Sequence, residues 1–92
     1  MPRVSIKVSI VNRLGLHARP AMCFVDAATP FQSEITVCRA GSASPVDGKS
    51  IMQMMMLAAT KGTELEIVAD GEDAQVACDA LKKLVENGFD EE

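Results

Sequence analysis

Apolar and polar residues alternate without a break from Val4 to Ile10, with Val4, Ile6, Val8 and Ile10 on one side and Ser5, Lys7 and Ser9 on the other. A period of two is that of a strand with one buried and one solvated face. It recurs at Phe31, Ser33, Ile35 and Val37, and again at Leu65, Ile67 and Ala69. Stripes at helical spacing lie between and after these segments: Ala21, Phe24, Val25 and Ala28, then Ala74, Ala77, Cys78, Leu81, Leu84 and Val85. One-sided strands and one-sided helices bury their apolar faces by packing on each other. The pattern therefore predicts an α+β fold, a single antiparallel sheet with helices on one face, without separating one small α+β sandwich from another.

Local signals set the boundaries. The loop from Asn12 to Leu16 leads into the first helix, and Thr29-Pro30 ends it, because the residue before proline is driven out of the helical region. Ala40-Gly41-Ser42 reads as a turn and Ala43 to Asp47 as a short third strand, which Pro45 confines to a sheet edge because it has no N–H to donate. A short helix is expected from about Ser50 to Ala58, ending near Lys61-Gly62, and a fourth strand follows over Glu64 to Ala69. Asp70-Gly71 turns into the last helix, which Asn87-Gly88 stops. The expected order is β-α-β-β-α-β-α in one domain spanning 1–92, with the acidic tail 89–92 frayed.

Composition removes several classes of function. A formal charge of −4 with no cluster of basic residues argues against a nucleic-acid binder, and three phenylalanines as the only aromatics argue against base stacking. Three cysteines without paired spacing and a single histidine do not make a zinc site. The thiols read as reduced, as in a cytoplasmic protein. No continuous apolar run suggests a signal peptide or a membrane span.

The single histidine sits in Gly15-Leu16-His17-Ala18-Arg19-Pro20-Ala21. With a helix beginning near His17, the imidazole lies at the N-cap, where backbone amides lack intrahelical acceptors and the helix dipole is positive. Such a tip binds anions. Arg19 adds a planar guanidinium suited to phosphate, and Pro20 occupies the first turn at no cost in hydrogen bonding. The amides of Ala18 and Arg19 remain to receive phosphoryl oxygens. A nucleophilic nitrogen, two amide donors and a guanidinium thus converge as a phosphohistidine site. Attack on phosphorus requires the neutral ring, whose lone pair a proton would occupy. Sequence leaves the reacting nitrogen open, although N-cap geometry favours Nδ1.

The segment resembles the active-site signature of the HPr family, the histidine-containing phosphocarriers of the bacterial phosphoenolpyruvate-dependent sugar phosphotransferase system. Lys49-Ser50-Ile51-Met52 followed by Met55, Leu57 and Lys61-Gly62 is similar to the family's second motif, and Asp70-Gly71-Glu72-Asp73-Ala74 to its third. The match runs from near residue 3 to near residue 88. The resemblance implies an open-faced β-sandwich of four strands and three helices in a monomer, with no metal or organic cofactor. It also implies a carrier rather than an independent enzyme, with His17 and Arg19 taking phosphate from phosphorylated enzyme I and passing it to a sugar-specific EIIA component. A paralogous carrier in a nitrogen-related or regulatory phosphorelay has the same chemistry.

The second motif has its own physical reading. Ser50 is a good N-cap, and the resemblance implies in addition that an HPr kinase/phosphorylase modifies it. A regulator that binds a catabolite-control transcription factor through the Ser50 surface is the alternative role. The short helix is apolar nearly all round, from Ile51 to Ala58 apart from Gln53, so part of it must be exposed, and exposed apolar patches mark interaction sites. The resemblance assigns docking to Ile51, Met52 and Met55, with Met54 and Leu57 facing the core. Gln53 and Met56 depart from the small residues expected at those places.

Overall fold

The computed structural model describes residues 2–90. Its elements are β1 (Arg3–Ser9), α1 (Ala18–Ala28), β2 (Glu34–Arg39), β3 (Val46–Asp47), α2 (Ile51–Met56), β4 (Glu64–Asp70) and α3 (Ala74–Glu86), followed by a 3-10 turn at Gly88–Asp90. The four strands form one antiparallel sheet in the order β1-β4-β2-β3. β4 is central. It pairs with β1 from Ser9↔Glu64 to Arg3↔Asp70, and with β2 from Arg39↔Leu65 to Glu34↔Asp70.

The helices cover one face of this open sheet, as the alternation predicts. Val8, Ile35, Val37, Leu65, Ile67 and Ala69 point into the core, while Ser5, Cys38 and Glu66 meet on the opposite face, where the Ser5 hydroxyl donates to the Glu66 carboxylate at 2.8 Å. Phe24 and Leu81 bring the helical stripes onto the same core, and Leu84 packs at its margin.

Three boundaries differ from expectation, each for a local reason. β2 begins at Glu34 rather than Phe31, because the Gln32 and Ser33 amides donate to the Asp73 carboxylate at 2.8 and 2.9 Å instead of joining a ladder. The third strand shrinks from Ala43–Asp47 to Val46–Asp47, which pair with Val37 and Thr36 at the sheet edge. Upstream of it the chain turns on itself: the Ser42 amide bonds the Arg39 carbonyl and the Ser44 amide bonds the Ser42 hydroxyl. α2 is shorter than expected, with Ser50 as N-cap and Leu57 as C-cap, since Ala58 adopts a left-handed conformation (φ 50°) that ends the helix.

The C-terminus also departs from the frayed tail expected over 89–92. Gly88 takes φ 66° and Phe89 is buried in the core cluster, so the chain turns back onto the domain there. Residues 91–92 lie outside the described residues. The three cysteines are free, as expected. Burial pushes the Cys78 thiol up, and desolvation together with Glu66 pushes Cys38 up.

Asp73 couples the start of α3 to the segment before β2. Its side chain does not cap α3. It accepts instead from the Ser33 hydroxyl at 2.5 Å and from the two loop amides. These bonds, that from Ser33 foremost, hold the carboxyl below its ordinary value near 3.8. Stability from this contact is therefore complete above pH 3.8 and is lost as pH falls through the lower folded-state value. Urea titrations across pH are expected to show a lower midpoint for Asp73→Asn than for the parent at pH 7. The gap should narrow on acidification below pH 3.8, where the parent carboxyl also protonates.

Candidate functional site

His17 is the N-cap of α1, with extended backbone (φ −87°, ψ −167°), and its carbonyl accepts the Ala21 amide at 3.0 Å. Its side chain makes no capping hydrogen bond to the helix. The ring is half-buried, while Ala18 and Arg19 are exposed and Pro20 is buried beneath them. The amides of Ala18 and Arg19 precede the first residue with an intrahelical acceptor, so the tip presents donors that the helix itself does not use, beside an imidazole and a guanidinium. The expected members of the site thus occupy one helix tip.

What holds this tip in place was not visible in the motif. The Asn12 side-chain amide is buried and donates to the Gly15 carbonyl at 2.7 Å, closing a tight loop that the Gly15 amide also ties to the Asn12 carbonyl. From there Leu16 donates its amide to the carbonyl of Ala59 at 2.8 Å, pinning the loop to the segment that leaves α2. The backbones approach so closely that a Cβ on Gly15 would run into the Ala59 carbonyl oxygen and lie 2.9 Å from Thr60 Cα. Gly15 also has φ +72°, a conformation side chains disfavour. The Asn12 contact has a sequence signal, an Asn three residues before a glycine. Ala59 has none, being far away along the chain.

α2 packs beside α1, and its burial agrees with what the resemblance implies for Met54 and Leu57. Met54 and Leu57 are buried, whereas Ile51, Met52, Met55 and Met56 are exposed. Met52 shares a face with Met55 and Met56, three and four residues on. Ser50 caps this helix, its hydroxyl accepting from the Gln53 amide at 3.3 Å. The unusual Gln53 has a structural role: its side-chain oxygen accepts the Asp47 amide at 2.9 Å and ties α2 to β3. Arg39 reaches the other end, donating to the Leu57 carbonyl at 3.4 Å, where a cation suits the helix dipole. Among the described residues no group of His, Cys, Asp and Glu is arranged to hold a metal, and no helix is long and apolar enough to cross a membrane.

Residues 4–87 match the family model described as the PTS HPr component phosphorylation site. The phosphocarrier protein HPr of Pseudomonas aeruginosa is 47% identical over 87 residues, covering 95% of this chain and 96% of its own. The phosphocarrier protein NPr of Proteus mirabilis is 42% identical over 86 residues, covering 94% of each. Among solved structures, HPr-C-His from Thermoanaerobacter tengcongensis superposes with a TM-score of 0.85 at 41% identity, covering 100% of this chain and 99% of the other.

The Gly15 contact can be tested directly. Gly15→Ala is expected to destabilise the protein by about 1–3 kcal/mol, the range for a side chain forced into a left-handed or crowded backbone. Amide hydrogen exchange of the folded variant should show Leu16 losing protection, while amides of β4 keep theirs.

Proposed function

The chain belongs to the HPr family of phosphocarriers of the phosphotransferase system, and from that membership we propose that His17 accepts a phosphoryl group from phosphorylated enzyme I and delivers it to an EIIA component. One observation carries the reading: the family match spans the N-cap of α1, and that residue is a histidine directly ahead of Ala18 and Arg19, whose amides have no acceptor within the helix. A lone pair of the neutral imidazole attacks phosphorus as the donor's bond to phosphorus breaks in line. The Ala18 and Arg19 amides receive the phosphoryl oxygens, and the Arg19 guanidinium offsets their charge. The exposed tip keeps this stabilisation modest through solvent screening. That suits a carrier, which must release what it accepts.

Ile51, Met52 and Met55 form the docking surface in this reading. Their exposure and their position on the helix beside α1 support it, and methionine adapts to more than one partner surface. Phosphorylation of Ser50 regulates the same surface by adding about two negative charges at its edge. The relative named NPr supports a second reading, in which the same chemistry serves a paralogous, nitrogen-related relay.

Incubation with phosphoenolpyruvate and enzyme I is expected to add one phosphoryl group, seen by intact mass, lost in acid and absent from His17→Ala. Arg19→Gln should slow transfer on the order of 10- to 100-fold, less than the loss of a donor in a water-excluded site. No transfer from either a sugar-branch or a nitrogen-branch enzyme I, with the chain folded, would defeat the carrier assignment, and a preference between the two decides the branch.

Met52→Asp should leave thermal stability nearly unchanged because the side chain is exposed, yet raise the KM of enzyme I for this chain. An unaltered KM would remove Met52 from the docking surface. Ser50→Asp should raise KM in the same direction, and Ser50→Ala should gain no phosphate from ATP and HPr kinase.

A further inference from the structure

Six of the 92 residues are methionine, and their distribution is uneven. Met52 is 79% exposed, Met56 74%, Met22 50% and Met55 44%, whereas Met54 in the same helix is fully buried. Met22 lies one helical turn beyond Ala18, on the exposed side of α1. The other three stand on α2, which packs beside α1. Thioethers are thus concentrated on the helix of the proposed acceptor tip and on the helix packed beside it, with Met54 as an internal control within two residues of three of them.

We propose that Met22, Met52, Met55 and Met56 form an oxidation site at which peroxide-class oxidants convert the docking face to methionine sulfoxide and thereby switch off phosphoryl transfer. The inference rests on the docking role of Met52 and Met55. In the reaction the thioether sulfur attacks one peroxide oxygen. The O–O bond breaks and an S–O bond forms, with sulfur giving up two electrons. The departing oxygen takes up a proton and leaves, so that one hydrogen peroxide becomes one sulfoxide oxygen and one water. The product replaces a flexible apolar end with a polar, chiral one. Burying that group against an apolar partner surface carries a desolvation cost that the thioether does not. Met54 escapes because no oxidant reaches it while the domain is folded.

Competing thiol chemistry is suppressed by placement. Cys78 is buried, and the thiols of Cys38 and Cys78 are both pushed up, so the reactive thiolate is scarce at either. Cys23 is half-buried on α1, and any oxidation there short of sulfinic acid is reversed by dithiothreitol, which leaves sulfoxides intact.

The test treats the folded protein with hydrogen peroxide and then dithiothreitol, maps sulfoxides by peptide mass spectrometry, and measures transfer from phosphoenolpyruvate and enzyme I. Sulfoxide is expected first at Met52 and Met56, then at Met22 and Met55, with Met54 unmodified. The kcat/KM for transfer should fall by about tenfold, equivalent to ~1.4 kcal/mol of lost binding, and methionine sulfoxide reductases should restore it. The quadruple variant M22L/M52L/M55L/M56L, compared with its own untreated rate, should keep that rate through peroxide. Full transfer by the oxidised chain, or oxidation of Met54 in step with its neighbours, overturns the proposal. If Met52→Asp slows transfer while the sulfoxides do not, only the oxidation switch fails. If neither slows it, the docking reading has failed.

Discussion

β4 is hydrogen-bonded along both edges, to β1 on one side and β2 on the other. Neither partner is its neighbour in the chain, since β1 comes from the N-terminus and β2 lies on the far side of β3 and α2. Placing β4 between them brings the end of β1 beside the start of β4, where the Ile10 amide bonds the Thr63 carbonyl and the Gly62 amide bonds the Ile10 carbonyl. The loop that carries His17 leaves the sheet from this junction. Its origin is therefore set by a strand pairing that forms only when segments far apart in the sequence meet.

From that origin the loop is fastened a second time, to the segment leaving α2. The Leu16–Ala59 hydrogen bond and the close contact of Gly15 link the His17 tip to the helix bearing the exposed methionines. In the proposed reading, chemistry and docking occupy different helices that share this one backbone junction. A partner settled on α2 then finds the imidazole at a fixed offset, which is how positioning lowers the barrier to an in-line transfer. The left-handed Ala58 just before Ala59 turns the chain out of α2 and aims that carbonyl at the loop.

The proposed acceptor site has little beyond a helix tip. Ala18 and Arg19 are in solvent, so any field they exert on a phosphoryl group is screened. A buried cradle would hold the group more tightly and pass it on less readily. In the proposed reading regulation follows the same economy: charge at Ser50 or oxygen on the methionines would alter the approach of partners without touching the imidazole.

Periodicity alone determined the alternating faces of β1, β2 and β4 and the stripes of α1 and α3, because these follow from the local geometry of strand and helix; in α2, apolar nearly all round, it required only that part of the helix be exposed. The His17 tip was equally legible, since its parts are contiguous. Where β2 starts, how short β3 becomes and where the chain ends its packing were not. Asp73 takes the amides of Gln32 and Ser33 from across the fold, Val46 and Asp47 pair only where β2 offers an edge, and Phe89 finds its place only once the core exists. The Ala59 anchor belongs to the same class. Hydrogen bonds between residues far apart in the chain leave no local pattern, and only the tertiary structure decides which backbone groups meet.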